Sequence, residues 1–458
     1  MTTSSSTVCK PRSARGAGAR TSRSVRAIAA LLARPVTQQG ALFLFDQAVV
    51  SATNFFTVWA VARACSPADL GAYSLAFTIV LFVGGIQQQA ISVPYSVYCN
   101  RHRGEALASY TGSSLAHQLA LSGVAVFGLL GLAGLLAVGL GPVYLTATVW
   151  VLLGTLPAFL LRDYLRNVTF AAIRPLVAVV MDVAVSVIQA GSLLLLWWFG
   201  TLSVPAVYAA IGAACAAGCA GWFLARWLPI RIVPSHALRQ WRQNWTFARW
   251  TLASQLLGSC TPQLLPWILA AVHGVAAAGL LAACNTLVGL SYVFIAGMVN
   301  FLLPKAARAF ARGGAAELAS VLKPAAGVFL VVLGALFLAV AVSGDTLLLV
   351  VYGKYAGAGP VAALLALSIL VTSLGVVAGG GLLAMERPAA TFLADASGAA
   401  ALLAAAACLV PPLGALGAAM ANVVSMSVWS AIRVLTLLRL MRRAGGSPVA
   451  AESVEVCP

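Results

Sequence analysis

The sequence predicts an all-α polytopic membrane protein with about twelve transmembrane helices. Of its 458 residues, 61% are apolar and 9% are charged, whereas a soluble domain has about 45–50% apolar and about 25% charged residues. The 42 glycines are typical of tightly packed transmembrane helices, in which small residues let the backbones approach. This composition excludes a water-soluble globular fold and does not fit the aromatic girdles of a membrane β-barrel.

Twelve uncharged stretches are long enough, at roughly 20 residues, to cross the hydrocarbon core of a bilayer. Six lie in each half of the chain, which predicts an N-lobe at 41–224 and a C-lobe at 250–437, joined by a basic linker at 225–249. A basic leader at 1–40 precedes them and a tail at 438–458 follows. The predicted spans are 41–63, 71–93, 114–138, 143–161, 175–199, 204–224, 250–272, 275–303, 324–343, 360–384, 390–410 and 413–432.

The positions of Lys and Arg predict the orientation, because short loops rich in these residues stay cytoplasmic. With both termini inside, 26 of the 28 basic residues fall on the cytoplasmic side, and only Arg63 and Lys354 fall on the other. Arg162, Arg166 and Arg433 are among those assigned to cytoplasmic loops or flanks. The net charge of +17 is therefore read as a topology signal and does not indicate a nucleic-acid partner.

Short external connections exclude the catalytic loop that membrane glycosyltransferases and polymerases need. The longest is 343–359, and the chain contains no GxxxxGK[ST] phosphate-binding loop. The nine cysteines form no CxxC pair, so neither a zinc site nor a disulfide framework is expected. We therefore expect a protein that is not an enzyme and that holds no cofactor and no metal. Cys65, in an external turn, is expected to be the one cysteine reachable from outside.

A weak internal repeat relates the two halves. Gly71 opens the second span and Pro94 closes it; Gly279 and Pro304 occupy corresponding places in the eighth span. Because each half has an even number of spans, the halves have the same orientation, as in parallel-repeat transporters with a central cavity.

Several segments carry a family resemblance. Residues 52–83 (ATNFFTVWAVARACSPADLGAYSLAFTIVLFV) resemble the opening of polysaccharide transporters of the MOP flippase superfamily, the Wzx-like proteins. Further similar segments occur in the same order along residues 41–440. They are Pro304 with the basic stretch after it, Tyr352-Gly353-Lys354-Tyr355, Glu386-Arg387-Pro388 and 412–419 (PLGALGAA).

The resemblance implies a flippase in the bacterial inner membrane, with both termini cytoplasmic. It would carry an undecaprenyl-diphosphate-linked oligosaccharide between leaflets by rocking two six-helix lobes around a central cavity. The implied partners are this lipid-linked oligosaccharide, membrane lipids and the polymerase and chain-length machinery of surface or exopolysaccharide synthesis, including O-antigen and lipopolysaccharide. No cofactor is implied, and coupling to a proton or sodium gradient stays open. The basic leader departs from many members of the family; it fits either an orientation-setting leader or an interfacial helix.

Ionisable residues within spans are functional candidates, because each costs about 2.5–3.5 kcal/mol near a helix centre. Asp46, Asp182 and Asp395 are the candidates for coupling to an ion. Arg249 is either a contact for a diphosphate or one more topology-setting arginine; Arg63 either lines the external mouth of the cavity or pairs with Asp69. The candidates for binding the substrate are Arg249, Arg63, Asn54, Gln88, Gln255 and Asn285.

Two other functions compete with the flippase. A cation-coupled multidrug exporter of the same superfamily would be favoured by a deep acid cluster within one lobe, whereas the three acids here are shallow and spread over both lobes. A non-transporting scaffold of a polysaccharide assembly complex would have a closed, dry centre. The sequence leaves the sugar, the coupling ion and the oligomeric state open.

Overall fold

The structure is a computed structural model that describes residues 35–385 and 387–445. Most of the leader predicted at 1–40, the end of the tail predicted at 438–458, and Glu386 of the Glu-Arg-Pro segment lie outside the described residues. Within the described part the chain is almost entirely helical, so the predicted all-α fold is confirmed.

Prolines and breaks in helix hydrogen bonding mark the helices of the N-lobe. Ser66 and Asp69 form a reciprocal capping box before the helix that begins at Pro67, which fixes a tight turn after the first helix. A π-helical turn, Gln88–Ser92, interrupts the second span before Pro94. The helices are α1 (Pro35–Ala64), α2 (Pro67–Gln87), α3 (Val93–Tyr98), α4 (Gly104–Ala137), α5 (Thr146–Ala171), α6 (Pro175–Trp198) and α7 (Val204–Leu224).

The C-lobe begins with an interrupted helix. α8 (Pro234–Gln255) runs into a second π-helical turn, Leu256–Cys260, and a 3₁₀ turn, Thr261–Leu264, before α9 (Leu265–His273). The remaining helices are α10 (Val275–Gly289), α11 (Ser291–Tyr352), α12 (Gly359–Ala384) and α13 (Pro388–Gly445). α11 is broken at Gly313 and Gly314, and α13 is broken at Gly414, where φ is +56°.

Eight helices in the described residues are long and apolar enough to cross a membrane, and the bent pair Val275–Gly289 and Ser291–Val299 would make a ninth. The eighth, Ala390–Arg443, contains two rods that meet at Gly414. α1 and the interrupted α8–α9 complete twelve antiparallel segments, six in each lobe. The chain thus has the predicted twelve-segment, two-lobe architecture of a multi-pass membrane protein.

The two ends of the bundle are distinguished by their loops. The turns at residues 65–66, 199–203 and 353–358 lie at one end, which we call the latch end; those at 99–103, 172–174 and 225–233 lie at the other, the basic end. At the latch end Cys65 contacts Leu202, and at the basic end Arg174 donates to the carbonyl of Trp227. α8 packs along α4 of the N-lobe, with Tyr110 donating to Asn244 at 3.1 Å.

The lobes meet most closely where α2 crosses α10, near the latch end. A Cβ on Gly71 would overlap the backbone of Val275, and a Cβ on Gly279 would overlap the backbone of Pro67. The contact is reciprocal, because each glycine meets the residue four positions before the other. The two glycines that the internal repeat paired are therefore neighbours at one seam, which we call the glycine seam.

The placement of several arginines in loops is wrong. α5 continues to Ala171, ten residues past the predicted end at 161, so Arg162 and Arg166 lie inside a helix. Arg433 lies inside α13. All three side chains are nearly buried, because carboxylates on neighbouring helices pair with Arg162 and Arg166, and Asp395 of α13 itself pairs with Arg433. The rule for basic loops assumes solvated side chains and does not detect such pairs.

Candidate functional site

A cluster of charged residues is buried in the N-lobe. Arg166 on α5 donates both to Asp46 on α1 and, at 2.7 Å, to Asp182 on α6. Arg162, one helical turn earlier, reaches the other oxygen of Asp182 at 2.6 Å. Asp46 and Asp182 have no exposed surface. Three helices are therefore joined by one ionic network, which we call the N-lobe ionic cluster.

Arg166 is the central member of this cluster. Its spacing of four residues from Arg162 puts both guanidinium groups on one face of α5, opposite the two acids. Its guanidinium also lies 5.2 Å from the centroid of the Phe170 ring. One oxygen of Asp46 is buried and has no hydrogen-bond partner among the described residues. A second cation or a proton could therefore bind to Asp46 without breaking the pair between Arg162 and Asp182.

The third candidate acid lies apart from the other two, in the C-lobe. Asp395 accepts hydrogen bonds from the indole of Trp429 at 2.8 Å and from Arg433 at 3.0 Å, all within α13. The Arg433 guanidinium lies 3.8 Å from the centroid of the Trp429 ring. Each lobe thus contains its own buried acid and arginine, and the three predicted ion-coupling residues divide two and one.

A cavity of about 380 Å³ adjoins this C-lobe pair, and a second of about 410 Å³ lies between the lobes. The second, which we call the central cavity, has Asn54 of α1 on one side and Asn285 of α10 on the other. Its other polar lining residues are amides and hydroxyls, interleaved with aromatic rings, and none is charged. They are Ser51, Tyr73, Ser74, Thr78, Gln263, Thr286 and Tyr292.

A set of hydrogen bonds closes the lobes on each other at the latch end. Arg63 of the N-lobe donates to the carbonyls of Val350 at 2.6 Å and Val351 at 2.9 Å, in the last turn of α11. The indole of Trp59 also donates to Val351, at 2.9 Å. The donors thus satisfy carbonyls that a helix C-terminus leaves unpaired.

The reverse contact comes from the C-lobe. Lys354 donates to the carbonyl of Ala62 at 3.1 Å and to that of Cys65 at 2.6 Å, just past the end of α1. Each lobe therefore places a cation at the negative end of a helix dipole of the other lobe. We call these contacts of Trp59, Arg63 and Lys354 the latch.

The latch explains why Arg63 and Lys354, the two basic residues outside the predicted cytoplasmic side, lie at this end of the bundle. Of the alternatives for Arg63, pairing with Asp69 is wrong, because Asp69 caps α2 by accepting from Ser66. Arg63 also lines a cavity of about 530 Å³ at the latch end, together with Phe55 and Trp59.

The expectation that Cys65 is readily accessible is wrong for this conformation. Its side chain is 8% exposed, and its Sγ lies 3.5 Å from the carbonyl oxygen of Leu202. Burial raises the pKa of the Cys65 thiol, the nearby Asp69 carboxylate raises it further, and the Lys354 ammonium opposes them. The thiolate is the reactive form, so Cys65 is poorly reactive both through its pKa and through its burial.

We expect Lys354→Met to accelerate maleimide labelling of Cys65, because the turn that covers the thiol loses its contacts with the other lobe. Labelling of the native protein should increase with pH and reach half its maximum above the pKa of a free cysteine. In Lys354→Met the maximal rate should rise, because the thiol is uncovered more often. Arg312→Met, which removes an exposed cation from the basic end, is the matched control. An unchanged maximal rate in Lys354→Met would contradict the latch.

The remaining predicted binding residues are dispersed. Gln255 lines the cavity beside Asp395, where Gln89 of the N-lobe donates to it at 3.4 Å. Gln88 accepts from Asn167, the residue after Arg166 of the N-lobe ionic cluster. Arg249 is exposed on α8. The structure therefore brings together Asn54 with Asn285 and Asp46 with Asp182, and separates the others.

Among the partners of the three buried acids, sequence reasoning did not select Arg162, Arg166, Trp429 and Arg433. A signal was present, because Arg166 follows Arg162 by four residues and Arg433 follows Trp429 by four. Pairs with this spacing share a helix face. Reading them as helical required knowing that the helices extend beyond the apolar stretch.

The chain folds into two six-helix lobes that close at one end around a central cavity, and solved structures share this fold. An inward-facing multidrug resistance MATE family transporter of the MOP superfamily matches with a TM-score of 0.73 and 14% identity, covering 86% of this chain and 94% of that chain. The lipid II flippase MurJ in an inward closed conformation matches with a TM-score of 0.71 and 10% identity, covering 88% and 90%. An outward-facing MATE transporter matches with a TM-score of 0.63 and 15% identity, covering 90% and 97%.

The chain thus has the fold of MOP-superfamily transporters, as the resemblance implied. Another structure with this fold is a MOP superfamily transporter from Pyrococcus furiosus, with a TM-score of 0.66 and 14% identity, covering 90% of this chain and 96% of that chain. No family model matches the sequence, and no curated protein matches it.

Proposed function

We propose that the protein is a flippase for a polyprenyl-diphosphate-linked oligosaccharide in the bacterial inner membrane, serving surface or exopolysaccharide synthesis. The observation that carries the proposal is the uncharged lining of the central cavity, in which amides and hydroxyls alternate with Phe55, Phe77 and two tyrosines. Amides and hydroxyls exchange hydrogen bonds with sugar hydroxyls, and aromatic rings pack on sugar faces. Such a lining suits a neutral, polyhydroxylated headgroup.

Alternating access would follow if the latch and the glycine seam formed and broke in turn. With the latch and the glycine seam formed, the central cavity is shut at the latch end; rocking the lobes apart there would break the latch. We propose that the basic end faces the cytoplasm, in accordance with the distribution of basic residues. The substrate would then load from the cytoplasmic leaflet and leave at the latch end.

The N-lobe ionic cluster is our candidate for coupling this cycle to a proton or sodium gradient. A proton or Na⁺ on Asp46 would weaken its attraction to Arg166, which also holds Asp182. Because α1 carries Asp46 near the basic end and Trp59 and Arg63 at the latch end, a shift of α1 would act on both. Asp46 is thus a more direct coupling candidate than Asp395, which accepts hydrogen bonds from Trp429 and Arg433 of its own element α13.

The cation-coupled exporter is the second candidate, and one observation favours it. Asp46 and Asp182, which both belong to the N-lobe, are joined by Arg166 and fully buried, and a buried acid cluster within one lobe favours an exporter. Against it stands the central cavity, whose lining contains no acidic residue to attract a cationic drug. The scaffold alternative predicts a closed, dry centre, and a polar-lined cavity of about 410 Å³ between the lobes argues against it.

Reconstitution distinguishes these functions. Proteoliposomes containing undecaprenyl-diphosphate-linked oligosaccharide should expose the sugar of the inner leaflet to external periodate faster with the protein than without it. Asn54→Leu with Asn285→Leu should slow this several-fold, since both walls of the cavity lose a polar group. Gln243→Leu, an exposed amide on α8, is the control. Efflux of ethidium driven by a proton gradient, without movement of the lipid, would favour the exporter.

A further inference from the structure

The cavity beside Asp395 is built separately from the central cavity. α13 supplies Asp395, Ser425, Trp429 and Arg433, and α8 supplies Thr251 and Gln255. Among the residues that the structure describes, Gln89 is the one lining residue from the N-lobe. We call this the C-lobe cavity.

Both π-helical turns contribute to this cavity. Gln89 belongs to the turn Gln88–Ser92 of the N-lobe, and Leu257 and Gly258 belong to the turn Leu256–Cys260 of the C-lobe. A π-helical turn inside an α-helix frequently marks a functional site. Gly258 has a local reason as well, because a Cβ there would lie 3.1 Å from the carboxyl carbon of Asp395.

The charges in the C-lobe cavity balance. Asp395 and Arg433 form one ion pair at 3.0 Å, and their side chains are 11% and 14% exposed. A simple anion would have to approach the Asp395 carboxylate, and a simple cation would have to approach the Arg433 guanidinium. Since charges are poorly screened at a nearly buried pair, a charged ligand gains little there.

The hydrogen-bonding groups of the cavity are incompletely used. Nε of Arg433 is buried and has no hydrogen-bond partner in the part of the chain that the structure describes. The bond from Gln89 to Gln255 is long, at 3.4 Å. A hydroxyl group could accept from Arg433 and from the Gln89 amide while it donates to the Gln255 oxygen. A ligand with several neutral hydroxyls would satisfy these groups without disturbing the ion pair.

We propose that the C-lobe cavity is a binding site for a neutral sugar unit of the transported headgroup, separate from the central cavity. This inference rests on the proposed flippase function, since it assigns one sugar of that substrate to a second position. Because Gln89 belongs to the other lobe, a sugar bound there contacts both lobes at the basic end. The occupied site would therefore stabilise the arrangement of the lobes in which Gln89 faces Gln255.

A cysteine-protection experiment tests the proposal with maltose as the neutral probe. Thr251→Cys reports on the C-lobe cavity and Ser74→Cys reports on the central cavity, with labelling by a methanethiosulfonate read by mass spectrometry of each peptide. Maltose should slow labelling at position 251 several-fold and have a smaller effect at position 74. Pyrophosphate and tetraphenylphosphonium should not protect position 251. Binding of radiolabelled maltose to the solubilised protein measures the same site without a reporter.

Two further variants test the chemistry of the site. Gln255→Leu should abolish the protection by maltose, whereas Gln263→Leu, an amide of the central cavity eight residues later, should retain it. Asp395→Asn keeps an oxygen for Trp429 and Arg433 but removes the balancing charge, so pyrophosphate should then protect position 251.

Three outcomes would overturn the proposal. The first is that maltose neither protects position 251 nor binds in the radiolabel assay, and the second is that it protects positions 251 and 74 equally. The third is that pyrophosphate or tetraphenylphosphonium, and not maltose, protects position 251 in the protein that retains Asp395. The outcome of the flipping assay is independent of the protection experiment. Flipping without maltose protection would overturn this inference alone, whereas maltose protection without flipping would overturn the proposed function and leave a sugar site.

Discussion

Gly71→Ala and Gly279→Ala are each expected to abolish most transport while each lobe stays folded. A methyl group at either position would overlap backbone of the other lobe, at Val275 or Pro67, and backbone cannot move aside as a side chain can. Overpacking costs about 1–3 kcal/mol, which lowers the equilibrium constant for closure at the glycine seam by about five- to 160-fold.

The matched control is Gly84→Ala, in the same helix α2, where an added Cβ meets nothing within 4 Å. Its transport should equal that of the native protein. Labelling of Cys65 should be faster in Gly71→Ala than in Gly84→Ala, since opening the seam also strains the latch. If Gly71→Ala transports normally and labels Cys65 at the native rate, closure at the glycine seam is not part of the cycle.

Arg166→Leu should be the most destabilising substitution in the N-lobe. It leaves Asp46 buried without its arginine and Asp182 with one partner in place of two. Removing one partner of a buried ion pair costs about 3–5 kcal/mol. Thermal denaturation in detergent, followed by size-exclusion chromatography, should show a large loss of stability. Arg239→Leu, which removes an exposed arginine of α8, should have little effect.

A second substitution tests whether the unpaired charge of Asp46 causes the loss of stability in Arg166→Leu. Asp46→Asn in the Arg166→Leu background removes the unpaired charge and leaves Arg162 with Asp182 as a complete pair. Most of the lost stability should return. Failure of Asp46→Asn to restore it would mean that Arg166 acts through packing against Phe170, 5.2 Å away, more than through its charge.

The sequence predicted the twelve-segment architecture because hydropathy is a local property that each stretch displays by itself. α7 begins and ends at residues 204 and 224, as predicted. The ends of the helices at the basic end were less predictable, because α5 continues through Arg162 and Arg166 beyond its predicted end. A basic residue terminates an apolar stretch in any count of hydropathy, whereas the helix continues if an acid on another helix accepts the charge.

The sites depended on distant partners. Asn54 and Asn285 were selected individually as polar residues in spans, and the fold placed both on the central cavity. Nothing in the sequence assigned Gln255 to one cavity and Asn285 to another, because that depends on the interruption of the seventh span at Leu256–Cys260. Likewise, the repeat equated Gly71 with Gly279 without indicating that they touch.

The acceptors of the latch are all main-chain oxygens, of Val350, Val351, Ala62 and Cys65 among others. A peptide carbonyl is present whatever side chain stands at that position. Substitutions at these acceptor positions can therefore accumulate without any compensating change at Arg63 or Lys354. Covariation between aligned sequences, which detects pairs of side chains, would not register this closure. In aligned sequences the latch would be visible only as conservation of the donor side chains at positions 59, 63 and 354, each considered by itself.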